Sequence, residues 1–83
     1  MTDSIQLLIL SPERALVRET VESVEFPGSL GRFEVLKNHA PLISSLERGD
    51  ILYRIDGERD GRVSISSGFV EICQNRITAC VEL

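Results

Sequence analysis

Residues 49–66 read Gly49-Asp50-Ile51-Leu52-Tyr53-Arg54-Ile55-Asp56-Gly57-Glu58-Arg59-Asp60-Gly61-Arg62-Val63-Ser64-Ile65-Ser66. In the first half Ile51, Tyr53 and Ile55 fall on one parity, with Arg54 and Asp56 opposite. In the second half Val63 and Ile65 alternate with Arg62, Ser64 and Ser66. Such a period of two belongs to a strand that buries one face and wets the other. The stretch between, Asp56-Gly57 through Asp60-Gly61, is polar and glycine-containing, as a hairpin loop requires. Strands are therefore expected over 51–55 and 62–66.

The same alternation recurs at the end of the chain, where Ile77, Ala79 and Val81 alternate with Arg76, Thr78 and Glu82. Turn signals at Ser11-Pro12, Pro27-Gly28, Gly31, Lys37-Asn38, Pro41, Gly49-Asp50, Gly68 and Gln74-Asn75 cut the remainder into strand-sized runs. The expected strands are 5–10, 15–18, 21–26, 32–36, 42–46, 51–55, 62–66, 69–73 and 76–82. Roughly nine or ten short strands with even turn spacing predict an all-β domain over 1–83, a flattened β-sandwich or barrel. Ile5–Leu10 is apolar on both faces, which suggests a central or doubly covered strand. Glu13 to Phe26 is less regular: Val17, Val21 and Val24 stand at helical spacing, while its β-branched content and the Val24/Phe26 alternation favour strands.

The chain has 83 residues, 42% hydrophobic and 27% charged, with net charge −4. At this size only about 60% of the unfolded surface is buried, which leaves little room for an enclosed substrate pocket. The nine Lys and Arg residues are scattered, so a phosphate backbone is not an expected partner. Met1-Thr2-Asp3-Ser4 lacks the features of a signal peptide, and no apolar run approaches a membrane span. A soluble, cytoplasmic-type chain is expected. With Gln74-Asn75 as a two-residue hairpin loop, Cys73 and Cys80 share a face roughly 13 Å apart. A disulfide needs Cα atoms within about 7 Å, so free thiols are expected.

Candidate chemistry is sparse. His39, the single histidine, sits in the turn Asn38-His39-Ala40-Pro41. Ser44 and Ser45 nearby stand in an expected strand with no nucleophile elbow. His39, Cys73 and Cys80 lack metal-site spacing. The glycines of Pro27-Gly28-Ser29-Leu30-Gly31 precede a strand and do not open a helix, so no phosphate loop is expected. Glu19, Glu22 and Glu25 read as a solvated face. The acidic residues of the 56–61 loop are too sparse for calcium. No catalytic residue, metal or cofactor is expected. Leu30 is an apolar residue at a loop tip, which points to a contact surface.

The order of the motifs adds a resemblance. Leu10-Ser11-Pro12-Glu13-Arg14 is followed by Ser23-Val24-Glu25-Phe26-Pro27-Gly28, Gly31-Arg32-Phe33-Glu34-Val35-Leu36 and Asn38-His39-Ala40-Pro41-Leu42-Ile43. Leu46 with Gly49, Ser66-Ser67-Gly68-Phe69-Val70-Glu71, and Asn75 with Ile77-Thr78 complete the series. This series resembles the N-terminal domain of the epsilon subunit of F-type ATP synthase. The resemblance implies a flattened β-sandwich in the central rotating stalk, bound to the gamma subunit and resting on the membrane c ring. It implies a non-catalytic rotor subunit, peripheral to the cytoplasmic face of a bacterial plasma membrane, coupling proton flow to ATP synthesis.

By position, Ser29, Leu30, Gly31 and Arg32 resemble the contact with the c ring, and Ser11, His39 and Ser44 resemble positions facing gamma. Many relatives carry an acidic or polar residue where this chain has Arg32, so the ring would need an acidic or neutral complement there. The chain ends at Leu83, directly after the last strand. The helical hairpin that many members carry is thus not expected, nor is ATP binding. Two other classes remain: a β-sandwich adaptor taking a peptide along a sheet edge, and a small hydrolase using His39 and a serine. Leu30 is expected outside the core. Truncating Phe69 would cost roughly 3–5 kcal/mol if its ring is buried.

Overall fold

A computed structural model describes residues 4–57 and 59–83. The reading of residues 1–3 and the contribution of Glu58 to its loop lie outside them. Among the described residues nine strands follow one another: β1 (Ile5–Leu10), β2 (Ala15–Val21), β3 (Ser23–Gly28), β4 (Gly31–Val35), β5 (Leu42–Leu46), β6 (Gly49–Asp56), β7 (Arg59–Ile65), β8 (Ser67–Cys73) and β9 (Arg76–Glu82). No helix occurs among the described residues. The sheet order is β2-β1-β9-β8-β5-β3-β6-β7, with β4 paired to β3. Among the described residues only β1 and β9 run parallel.

One bridge, Gly28↔Leu46, links β5 to β3. It divides the curled sheet into a five-strand half, β2-β1-β9-β8-β5, and a four-strand half, β4-β3-β6-β7. Their inner faces meet in one core. Ile5, Leu7 and Ile9 of β1, Val70 and Ile72 of β8, and Ile77, Ala79 and Val81 of β9 come from the first half. Val24 and Phe26 of β3, Val35 of β4, Ile51 of β6 and Ile65 of β7 come from the second. Phe26 is fully buried and stacks at a tilt on Phe33, with centroids 5.6 Å apart. Each Val, Leu, Ile or Phe among them contributes about 1.5–3 kcal/mol by leaving water. Among the described residues no polar or charged one is buried.

The helical spacing of Val17, Val21 and Val24 has a simple origin. Val17 and Val21 share the inner parity of β2, whereas Val24 and Phe26 share that of β3. Glu22 is a corner between the strands, its N–H donating to the Arg54 carbonyl at 2.7 Å. The corner shifts the alternation by one residue, and two periods of two then imitate a helix.

Several strands begin earlier than expected, and the cause is glycine. Asp60-Gly61 read as part of a loop, yet Gly61 lies within β7 opposite Tyr53. A Cβ at Gly61 would collide with the Tyr53 ring, so the aromatic covers a gap in an edge strand. Gly28 is likewise inside β3, where a Cβ would come 2.8 Å from the Phe33 ring. The Gln74-Asn75 turn is as expected: both residues have positive φ, 52° and 61°, and Cys73 pairs with Arg76 across it. This is the primed geometry that suits the right-handed twist of a hairpin.

Candidate functional site

The outward sides of the two halves differ in chemistry. On the five-strand half, the pairings set Ala15, Leu10, Cys80, Phe69 and Ser45 in one row across the sheet. The next row is Arg18, Leu8, Thr78, Glu71 and Ile43, and a third runs Thr20, Gln6, Arg76 and Cys73. β1 is thus central, as expected, but its second face is not covered by another layer: Leu8 and Leu10 are half-buried. Phe69 is 52% exposed and Ile43 is 73% exposed. A groove lined by Leu10, Pro12, Gly68, Phe69, Cys80 and Val81 runs along this edge, with Ser11 at its rim. The condition for a large truncation cost at Phe69, a buried ring, is therefore not met. On β8 the buried parity is Val70 and Ile72, which leaves Phe69, Glu71 and Cys73 outward.

On the four-strand half, the outward row Glu34, Glu25, Leu52 and Arg62 crosses a shallow hollow also lined by Ser23, Arg54 and Asp60. Arg54 Nε lies 3.1 Å from Asp60 Oδ1, and Arg62 Nη1 lies 3.7 Å from Asp50 Oδ2. The Ser64 hydroxyl donates to Asp50 Oδ1 at 2.7 Å. Tyr53 lies beneath, on the inner parity with Ile51. Burial, and secondarily the Glu19 carboxylate, push its phenol above the ordinary tyrosine range.

The Ser29–Arg32 loop caps the β3–β4 hairpin. Gly28 pairs with Gly31, whose φ of 129° is open to glycine and unfavourable for other residues. Ser29 N–H donates to the Ser45 carbonyl at 3.1 Å, and the Ser45 hydroxyl donates to the Ser29 hydroxyl oxygen at 2.9 Å. Leu30 points wholly into solvent, with a relative exposure of 105%. The Arg32 side chain lies back on the sheet, its Nε 3.2 Å from Glu25 Oε1 and its Nη2 donating to the Asp50 carbonyl at 2.7 Å.

Ser11, His39 and Ser44 do not converge. Ser11 follows β1 and closes a turn in which its hydroxyl and the Arg14 backbone exchange hydrogen bonds. His39 lies in the β4–β5 connection, before the opposite end of β5, with Nδ1 donating to the Ala40 carbonyl at 2.7 Å. That connection is clasped to the β8–β9 turn by Asn38 N–H donating to Asn75 Oδ1 at 2.7 Å. Ser44 shares its parity with Leu42 and Leu46 and pairs with buried Val70, so the outward residues of β5 are Ile43 and Ser45. The Ser44 hydroxyl donates to the Ser45 carbonyl and makes no bond to His39. Sequence reasoning missed Leu10, Ile43, Phe69 and Cys80 as a surface. The available signal was apolar residues on the wet parity of alternating strands. Cys73 and Cys80 are free thiols.

The profile "ATP synthase, Delta/Epsilon chain, beta-sandwich domain" matches residues 4–82. The ATP synthase epsilon chain of Desulfosudis oleivorans is 38% identical over 99% of this chain and 62% of its own length. That of Desulfitobacterium hafniense is 41% identical over 94% of this chain and 58% of its own. The chain thus spans about three fifths of these relatives. Among solved structures, the Euglena gracilis mitochondrial ATP synthase OSCP/F1/c-ring contains a chain of the same fold, with TM-score 0.90 and 18% identity over 98% of this chain and 52% of that one. The Tetrahymena thermophila central stalk and c-ring contains another, with TM-score 0.79 and 10% identity over 95% and 63%.

Proposed function

The chain belongs to the ATP synthase delta/epsilon family of β-sandwich domains, and from that premise we propose that it is a non-catalytic part of the rotating central stalk of a proton-translocating F-type ATP synthase. It docks to the gamma subunit and to the membrane c ring and helps couple ion flow to ATP synthesis. It is peripheral to the membrane through these partners, at the cytoplasmic face of a bacterial plasma membrane. The family match and the titles of the structural relatives, which name central stalk and c-ring, support the assembly.

The observation that carries the reading is the uncovered apolar row Leu10–Cys80–Phe69. A small domain that leaves the second face of its central strand apolar has a partner to bury it against. This face is assigned to gamma, with Ser11 at its rim and Ile43 on the adjoining row. His39 lies beyond its far end and Ser44 beneath it. The Ser29–Arg32 loop is assigned to the ring. The role requires transmission of torque through fixed contacts, which accords with a loop held by the Ser29–Ser45 hydrogen bonds.

Calorimetry or native mass spectrometry of this chain with purified gamma subunit tests the proposal. A one-to-one complex of submicromolar affinity is expected, of the order that a standard interface of about 1,200–2,000 Å² supports. A folded chain that shows no binding would defeat it and leave the peptide-binding adaptor as the better reading.

A further inference from the structure

We infer that Arg32 is the internal strut of the Ser29–Arg32 loop rather than its outward charge, and that the loop meets the ring through Leu30 alone, as an apolar knob fitting an uncharged socket. The inference rests on the reading that this loop docks on the c ring, and it specifies the chemistry of that contact.

Pro27 interrupts a strand ladder. The β3–β6 ladder runs through Ser23↔Arg54, Val24↔Tyr53 and Glu25↔Leu52 and then stops. Pro27 has no N–H to extend it, and Gly28 already turns to Leu46 of β5. The gap falls at the root of the loop. Arg32, opposite Pro27 on β4, bridges it by placing Nη2 on the Asp50 carbonyl of β6 and Nε on Glu25 of β3. One planar guanidinium therefore ties three strands, a grip that a lysine ammonium would not reproduce.

The same contacts neutralise the charge. Glu25 stands opposite Glu34 across the β3–β4 pair, a like-charge juxtaposition that Arg32 relieves. In the adjoining β5–β6 turn, where Glu47 N–H donates to the Pro27 carbonyl, Glu47 and Arg48 bring one charge of each sign. The Ser29 amide and hydroxyl are engaged by Ser45. Leu30 stands out from a bracket whose hydroxyl and amide are engaged and whose loop cation is turned back onto the sheet. A rigid apolar group loses little freedom on docking, so its burial converts efficiently into affinity. An acidic ring surface would find the loop's own cation, Arg32, already turned onto Glu25 and Asp50, whereas an apolar depression would find Leu30.

Binding of wild-type chain and of Leu30→Ser, Arg32→Lys and Arg32→Gln to a purified gamma–c-ring subcomplex separates the alternatives. Amide exchange at Ser29 is followed in parallel on the isolated chain. Leu30→Ser is expected to weaken binding at least about tenfold with Tm unchanged, as for loss of a buried leucine side chain. Wild-type affinity should change less than about threefold between 0.1 and 1 M salt, over which the screening length falls from about 10 to about 3 Å. Arg32→Lys and Arg32→Gln should both speed Ser29 exchange and lower affinity to a similar degree. Retention of binding by Lys, its loss in Gln, and a steep salt dependence would make Arg32 an outward charge and overturn the inference. Full binding by Leu30→Ser would overturn the knob. Absence of binding by folded wild type to the ring, with gamma binding intact, defeats the ring reading and the knob together. Exchange at Ser29 then still decides the strut.

Discussion

The outward faces of the two sheet halves obey opposite rules. The face of β4-β3-β6-β7 is closed by its own side chains: Arg32–Glu25, Arg54–Asp60 and Arg62–Asp50 pair across strands. The face of β2-β1-β9-β8-β5 carries Leu8, Leu10, Phe69, Ile43 and Cys80 in positions where a free-standing sheet would place polar residues. A cross-strand ion pair satisfies itself in water and has no need of a partner. An exposed aromatic beside half-buried leucines is satisfied only when another surface covers it. The difference separates a half whose outward charges satisfy one another from a half whose outward apolar groups have no partner within the fold.

The contrast requires that both faces hang on one cooperative core, and Phe26 tests this with the largest expected effect. Phe26→Ala removes a fully buried ring stacked on Phe33 and should destabilise by about 3–5 kcal/mol. For a domain of this size that lowers Tm by more than about 15 °C in thermal unfolding followed by circular dichroism. Hydrogen exchange should show β8 and β9 losing protection together with β3 and β6. Protection lost only in the four-strand half would split the molecule into two units and end the comparison as drawn.

The alternating segments were legible because a half-wet strand writes its two faces directly into sequence parity. Ile51, Ile77, Ala79 and Val81 went to the core as read, with Tyr53 and Ile55 partly buried against it. Three features were not legible, each for a physical reason. Glycine reads as a breaker, yet Gly61 and Gly28 lie in strands because Tyr53 and Phe33, distant in sequence, cover them. The Glu22 corner hides behind a helical period because a one-residue phase shift cannot be seen without knowing where the strand turns. The uncovered second face of β1 is the third: Leu8 and Leu10 suggest a central or doubly covered strand, and only the sheet order reveals that no second layer covers them. At the loop, the outward position of Leu30 could be read from turn chemistry. The inward fold of Arg32 depends on Asp50, and strand pairing alone brings the two together.

A paired substitution sharpens the comparison at an intermediate magnitude. Phe69→Ala should change stability by less than about 1 kcal/mol, since half the ring is already in water, yet weaken gamma binding by about 10–100-fold if it anchors the interface. Arg54→Ala should also change stability by less than about 1 kcal/mol, with the difference shrinking in high salt, because its pair with Asp60 is exposed. It should leave gamma binding as it was. Reversal of the two binding results would transfer the docking face to the charged half.

The smallest effect reports on the seam where the halves face each other. Tyr53 is the sole tyrosine, so its phenolate absorbance titrates without ambiguity. Its phenol is held above the ordinary range first by burial and then by Glu19, which lies on β2 of the other half. An acid with a raised folded pKa keeps its proton longer in the native than in the unfolded state. Its contribution to stability is therefore fully present below pH of about 10 and is lost as pH rises from there through the folded value. Tyr53→Phe should flatten the alkaline loss of stability in denaturant titrations at stepped pH. Glu19→Gln should lower the phenol's midpoint part of the way toward the ordinary value, since burial remains. A midpoint unmoved by Glu19→Gln would mean that β2 does not reach Tyr53, and that the two halves are joined less closely at this edge than the Gly28↔Leu46 bridge joins them at the other.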